Sequence, residues 1–227
     1  MNSGKQADSM PRIYRFSRTA FLVSLHCICI IFTIFVTLQS RPGSSLFSWH
    51  PFLMTLAFSL FMTEAILIFS PHGFPIQKLT YRTKSRCHWI LQGLCVSCAV
   101  LGVAAIYYNK HLNGKPHLTS WHGVLGAMTL WVVMLQSLAA LPLLYPSLAK
   151  GWSLARLKRY HAATGMLTYL LGSVSLVLGL TSAWFTASVK GYAWYLAALC
   201  PALCALYIIN QITTGYTSKK TIAVKNK

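Results

Sequence analysis

Residues 44–70 read SSLFSWHPFLMTLAFSLFMTEAILIFS. A serine-rich segment turns at Trp49-His50-Pro51 into an apolar run in which Glu64 is the one charged side chain. About 20 mostly apolar residues cross the hydrocarbon core of a bilayer as a helix. The run is continuous rather than alternating, which argues for a helix over a barrel strand. The segment from about 50 to 70 is therefore expected to span a membrane, with an imidazole at its start.

Five further runs of the same kind flank it, so the expected spans are roughly 20–39, 50–70, 88–108, 121–144, 161–185 and 192–212. The composition agrees: 55% of the 227 residues are hydrophobic and 10% are charged, too apolar a balance for an ordinary soluble domain. The connections are short and leave no room for a soluble domain, so residues 1–227 read as a single transmembrane domain. The first run, 21–38, is too long for a signal-peptide core and is read as a retained helix. Cys27, Cys29, Cys95, Cys98, Cys200 and Cys204 fall within spans, where they read as small packing residues.

A net charge of +18 would suit a nucleic-acid binder, but its distribution points elsewhere. Of 20 Lys and Arg, 16 fall on one side of a six-span topology: Lys5, Arg12, Arg15 and Arg18; Lys78, Arg82, Lys84 and Arg86; Lys150, Arg156, Lys158 and Arg159; Lys219, Lys220, Lys225 and Lys227. The positive-inside rule puts that side, with both termini, in the cytosol.

The histidines sort by depth. His72, His111 and His117 lie in loops and His26 in the first span. His50, His88, His122 and His161 stand at the starts of spans two to five. Because successive spans alternate in direction, His50 and His122 share the outer side, and His88 and His161 share the cytosolic side. His50 and His88 are 38 residues apart, His122 and His161 39, with Ser-Trp-His at both outer mouths and Arg-x-His at both inner ones. Two helical hairpins read as copies of one unit. Packed side by side as a four-helix bundle, they would put two imidazoles at each level.

A lone interfacial histidine is an ordinary polar anchor; four at two matched depths are hard to obtain that way. Burial in lipid and a helix N-terminus both favour the neutral ring, the form that binds metal. Two nitrogens per level fall short of a closed zinc site, whereas a haem iron needs two axial ligands. Gly165, Gly172 and Gly179 follow His161 along one stripe of span five. They would leave room for a porphyrin or, equally, let helices pack closely.

These residues, together with RPGSSLFSWHP (41–51), MTEA (62–65) and LLYP (143–146), resemble the cytochrome b561 family, and most closely its short cytochrome b561 domain-containing members. The resemblance runs across all six spans. It implies an all-α membrane protein whose helices 2–5 hold two b haems, His50 and His122 ligating the non-cytosolic iron, His88 and His161 the cytosolic one. It implies electron transfer from cytosolic ascorbate to monodehydroascorbate or a ferric chelate, a homodimer, and an endomembrane such as that of the endoplasmic reticulum or a vesicle. Arg86 matches a basic family position and, with Lys158 and Arg82, is the expected contact for the anionic donor. His111, His117 and Lys115 are the expected outer contacts for the acceptor.

Glu64 is the one acid within a span, and such a group is a functional candidate by default. Fourteen residues after His50, it is expected near the His50 stripe and facing inward, either tuning the cytosolic haem or accepting a proton, or else paired with a loop Arg or Lys. Two other readings of the whole chain stand beside electron transfer: a haem-free, histidine-lined proton or solute transporter, and a structural membrane protein without turnover.

Overall fold

The computed structural model describes residues 12–70 and 78–225. His72, Lys5 and Lys227 lie outside the described residues, and for Arg12, Arg15, Lys219, Lys220 and Lys225 the backbone alone is described. The helices are α1 Arg12–Ser40, α2 Trp49–Leu67, α3 Tyr81–Leu112, α4 Trp121–Leu144, α5 Leu154–Leu180, the short α6 Ala183–Ser188 and α7 Tyr192–Lys225. Among the described residues six are long and apolar enough to cross a membrane, α1 to α5 and α7, and there is no strand. This is the six-helix membrane fold expected from the apolar runs.

Helix ends follow local chemistry more than hydropathy. The Thr80 hydroxyl accepts from the Thr83 N–H at 3.2 Å, and the Ser120 hydroxyl from that of Gly123 at 3.1 Å. Each satisfies one of the orphan donors of a helix start. Thr80 therefore starts α3 at Tyr81, and Ser153 precedes α5 at Leu154. Both helices begin seven residues before their histidines, because charged residues that end an apolar run do not end a helix. α2 stops at Leu67 and α5 at Leu180, short of the expected 70 and 185.

The core runs through the bundle as Leu22, Leu25 and Cys29 of α1, Ala57, Phe58 and Met62 of α2, Cys95 and Ala99 of α3, Val133 of α4, Tyr169 of α5, and Cys204 and Ile208 of α7. The outward faces carry exposed Ile31, Leu38, Leu101, Trp131, Leu135 and Leu206. Apolar surface of this kind suits lipid and would be a liability in water.

α2 is not a plain α-helix. Leu56–Met62 forms a π-helical segment, and the Thr63 hydroxyl donates to the carbonyl of Phe58, five residues back, at 3.0 Å. Each residue of a π turn advances less than the roughly 100° of an α turn. The lag swings the remainder of α2 off the His50 stripe. Glu64 consequently faces α1, where both carboxylate oxygens lie 2.7–2.9 Å from His26 Nδ1. Glu64 thus lies mostly within the protein but turned toward α1, and its partner is an imidazole rather than a loop Arg or Lys.

Candidate haem-binding site

The four histidines meet in pairs across the bundle. The rings of His50 on α2 and His122 on α4 have centroids 6.0 Å apart at an interplanar angle of 78°. Those of His88 on α3 and His161 on α5 are also 6.0 Å apart, at 83°. Imidazole nitrogen binds a first-row metal at about 2 Å, so two rings on opposite sides of one ion have centres roughly 6 Å apart. Both pairs fit that span.

The other ring nitrogen is occupied in every case. His50 Nδ1 lies 2.9 Å from the carbonyl of Gly102, His88 Nδ1 2.8 Å from that of Ala65, and His122 Nδ1 3.0 Å from that of Ser175. A carbonyl only accepts, so each of these nitrogens carries the proton and leaves Nε2 free to ligate. His161 differs. Its Nδ1 lies 3.0 Å from the side-chain amide of Gln136 on α4, which also donates to the His161 carbonyl at 2.7 Å and accepts from the Thr164 hydroxyl at 2.8 Å.

α2 ends at Leu67, so Ala65 is in its last turn and its carbonyl has no helical partner to serve. The first segment of α4 ends at Ala139, so Gln136 is likewise in a last turn, with Pro142 just beyond. Gln136 meets His161 by side chain, and its amide N–H donates to Nδ1 where the Ala65 carbonyl accepts from His88.

The glycine stripe of α5 serves these contacts. A Cβ on Gly179 would sit 3.2 Å from His122 Cε1, one on Gly165 3.2 Å from Gln136 Nε2, and one on Gly172 2.8 Å from Phe58 Cδ1. Two of the three open space for a ligand pair and the third seats a ring between the levels. Gly102, whose carbonyl holds His50, is similarly crowded by Leu53 and Met54 at 3.2 Å.

Among the described residues no three His, Cys, Asp or Glu converge on one point. Each level thus offers two nitrogen ligands and no more. That donor set suits an ion whose remaining positions a macrocycle fills, and the residues present fit axial ligation of haem iron.

The remaining expected site residues lie at the two ends. At the His88 end, Arg82, Arg86 and Lys158 are exposed, and Lys158 Nζ sits 4.9 Å above the ring of Tyr81, joining the starts of α3 and α5. Arg156, Arg159, Tyr160 and Ala163 line an open depression of about 360 Å³ there. At the His50 end, His117 stacks on Tyr107 at 4.3 Å, while His111 and Lys115 are exposed. The Nδ1 partners and the His26–Glu64 pair were not read from the sequence. Of these, Gln136 carried a signal, as a polar residue 14 positions past His122 inside a span.

The model of eukaryotic cytochrome b561 matches residues 49–186, from the first residue of α2 into α6. The human transmembrane reductase CYB561D2 is 50% identical over 216 residues, covering 95% of this chain and 97% of that one. The mouse probable transmembrane reductase CYB561D1 is 44% identical over 214 residues, covering 94% and 93%. The bovine lysosomal membrane ascorbate-dependent ferrireductase CYB561A3 is 26% identical over 181 residues, covering 77% and 67%.

Proposed function

From the premise that this chain belongs to the eukaryotic cytochrome b561 family, we propose that it carries electrons across a membrane. The donor is cytosolic ascorbate, the path two b haems, and the acceptor monodehydroascorbate or a ferric chelate on the other side. The observation that carries this reading is the pair of opposed imidazole couples, each with ring centres 6.0 Å apart, one at each end of the bundle.

His50 and His122 would hold one haem, His88 and His161 the other. The haem supplies reversible one-electron chemistry at its iron. The protein holds His50, His88 and His122 by Nδ1, so that Nε2 is presented in a set direction. The bias of Lys and Arg supports a cytosolic His88 end. Arg82, Arg86 and Lys158 would attract an anionic donor to it, with Tyr81 fixing Lys158 under a cation–π contact. His111, His117 and Lys115 would meet the acceptor at the far end. Ascorbate as donor is further supported by the name of the CYB561A3 relative. An endomembrane, of the endoplasmic reticulum or a vesicle, and a homodimer belong to the same proposal.

A visible spectrum of the purified protein tests it. Dithionite should develop b-type bands at about two haems per chain, and ascorbate should reduce part of them. A colourless preparation overturns the proposal in favour of a haem-free transporter. Haem that ascorbate leaves oxidised overturns the donor.

A further inference from the structure

α1 lies outside the matched segment 49–186, yet it contributes His26, the partner of the one acid within the spans. The two side chains are 21% and 24% exposed, so the pair lies mostly within the protein. A carboxylate only accepts, so His26 Nδ1 donates to an ionised Glu64, and the pair carries one negative charge with a neutral imidazole and none with an imidazolium. A net charge at this depth is costly.

The pair is wired to one of the two levels. Glu64 precedes Ala65, whose carbonyl holds His88 Nδ1 at 2.8 Å, and Ala65 is fully buried. Polar groups continue from it toward the end of α2. Gln211 of α7 donates to the Ile66 carbonyl at 3.0 Å, and its Oε1 is buried with no partner among the described residues. Ser70, fully buried, shares a hydrogen bond with the Tyr207 hydroxyl at 2.8 Å. Open acceptors and hydroxyls are uncommon in a buried helix contact unless something uses them. Around the pair, Cys29 of α1 and Cys204 of α7 lie within reach of the Glu64 charge. Tyr169 of α5 bonds Thr63 beside it, and His88 of α3 is one peptide away.

We infer that the His26–Glu64 pair is a proton site that neutralises the electron taken up at the His88–His161 level. When one electron arrives there, one proton from the cytosolic water is taken up at His26 Nε2. Nδ1 keeps its bond to Glu64, and the pair becomes an imidazolium–carboxylate of zero net charge. One negative and one positive charge enter together, so the low-dielectric bundle gains none. On oxidation the proton returns to the same water. The outer level has no such pair beside it among the described residues. The inference rests on the two-haem reading above.

The test is an equilibrium redox titration of the full-length protein in lipid nanodiscs, with mediators and dithionite, from about pH 6 to 8. The cytosolic component is the one that His88→Ala removes. Its midpoint should fall as pH rises, toward a limit of about 59 mV for each tenfold change in proton activity. Glu64→Gln and His26→Gln should each flatten that slope and leave the outer component unchanged. The double amide variant, which keeps a hydrogen bond and the volume, should be flat as well. Slopes unchanged in all variants, or an already flat wild type, overturn this inference alone. A wild type without b bands overturns the electron-transfer proposal and this inference with it.

Discussion

His122 donates its Nδ1 hydrogen to the carbonyl of Ser175 at 3.0 Å, and Ser175 stands 14 residues beyond His161 on the same helix. The other hairpin repeats the relation, since His50 donates to Gly102, 14 residues beyond His88. At roughly 1.5 Å per residue that interval is about 21 Å of helix. α3 and α5 therefore act as rulers: each carries a histidine of one pair and the carbonyl that orients a histidine of the other. In the reverse direction Gln136 is 14 residues past His122, but Ala65 is 15 past His50. The additional residue is taken up by the π-helical turn Leu56–Met62. The spacing between the two histidine pairs is thus a helical repeat, set by hydrogen bonds to the histidines themselves.

Removing one ligand should remove one centre. His88→Ala is expected to lower haem content from about two per chain to about one and to abolish rapid reduction by ascorbate. His50→Ala should lose a comparable share of haem and keep rapid reduction of the remaining centre. Haem quantification and stopped-flow spectra check both. If His50→Ala instead removed the rapid phase, the sides would be reversed.

Gln136 orients His161 by side chain alone, so its loss should be felt at one level. Gln136→Leu leaves the Nδ1 of His161 without its partner and removes the tie to Thr164. Changing the group that orients a metal ligand typically costs about 10–100-fold in affinity. Faster haem transfer from this variant to an acceptor globin, with altered low-spin signals for the His88–His161 centre only, is the expected result. Gln136→Glu, which accepts from Nδ1, should restore retention.

Gly179→Ala should disturb the outer centre through packing. The new methyl would lie 3.2 Å from His122 Cε1, tighter than ordinary contact, and the ring must shift. Overpacking of this kind costs roughly 1–3 kcal/mol. The expected outcome is a shifted outer-haem potential and a lower thermal midpoint, with the inner centre unchanged, read by redox titration and by thermal loss of the haem band.

Gly172→Ala should cost stability without touching either ligand pair. Its Cβ would fall 2.8 Å from the buried ring of Phe58, against the π-helical turn of α2. A loss of about 1–3 kcal/mol, seen in chemical denaturation with the haem spectrum unaltered, is expected.

Donor attraction by the basic end should be sensitive to salt. Arg86→Gln and Lys158→Gln are expected to slow ascorbate reduction several-fold at low ionic strength. The difference should shrink as the screening length falls from about 10 Å at 0.1 M to about 3 Å at 1 M. Rates that differ equally at both salts would assign these side chains to direct contact instead of steering.

The sequence by itself determined the membrane class, the six spans and the pairing of histidines by depth. Apolar run length must match bilayer thickness, and span parity alone decides which end a residue occupies. It carried the repeat as well, in the 38- and 39-residue intervals between these histidines. Only the tertiary structure decided what holds each ring. Gly102, Ala65 and Ser175 act through backbone carbonyls, which every residue possesses, so their side chains carry no mark of the role. It also decided where Glu64 points. A π-helical turn lags the 100° step by about one residue over Leu56–Met62, which moves the acid from the bundle face to His26. A period counted along the chain takes no account of that lag.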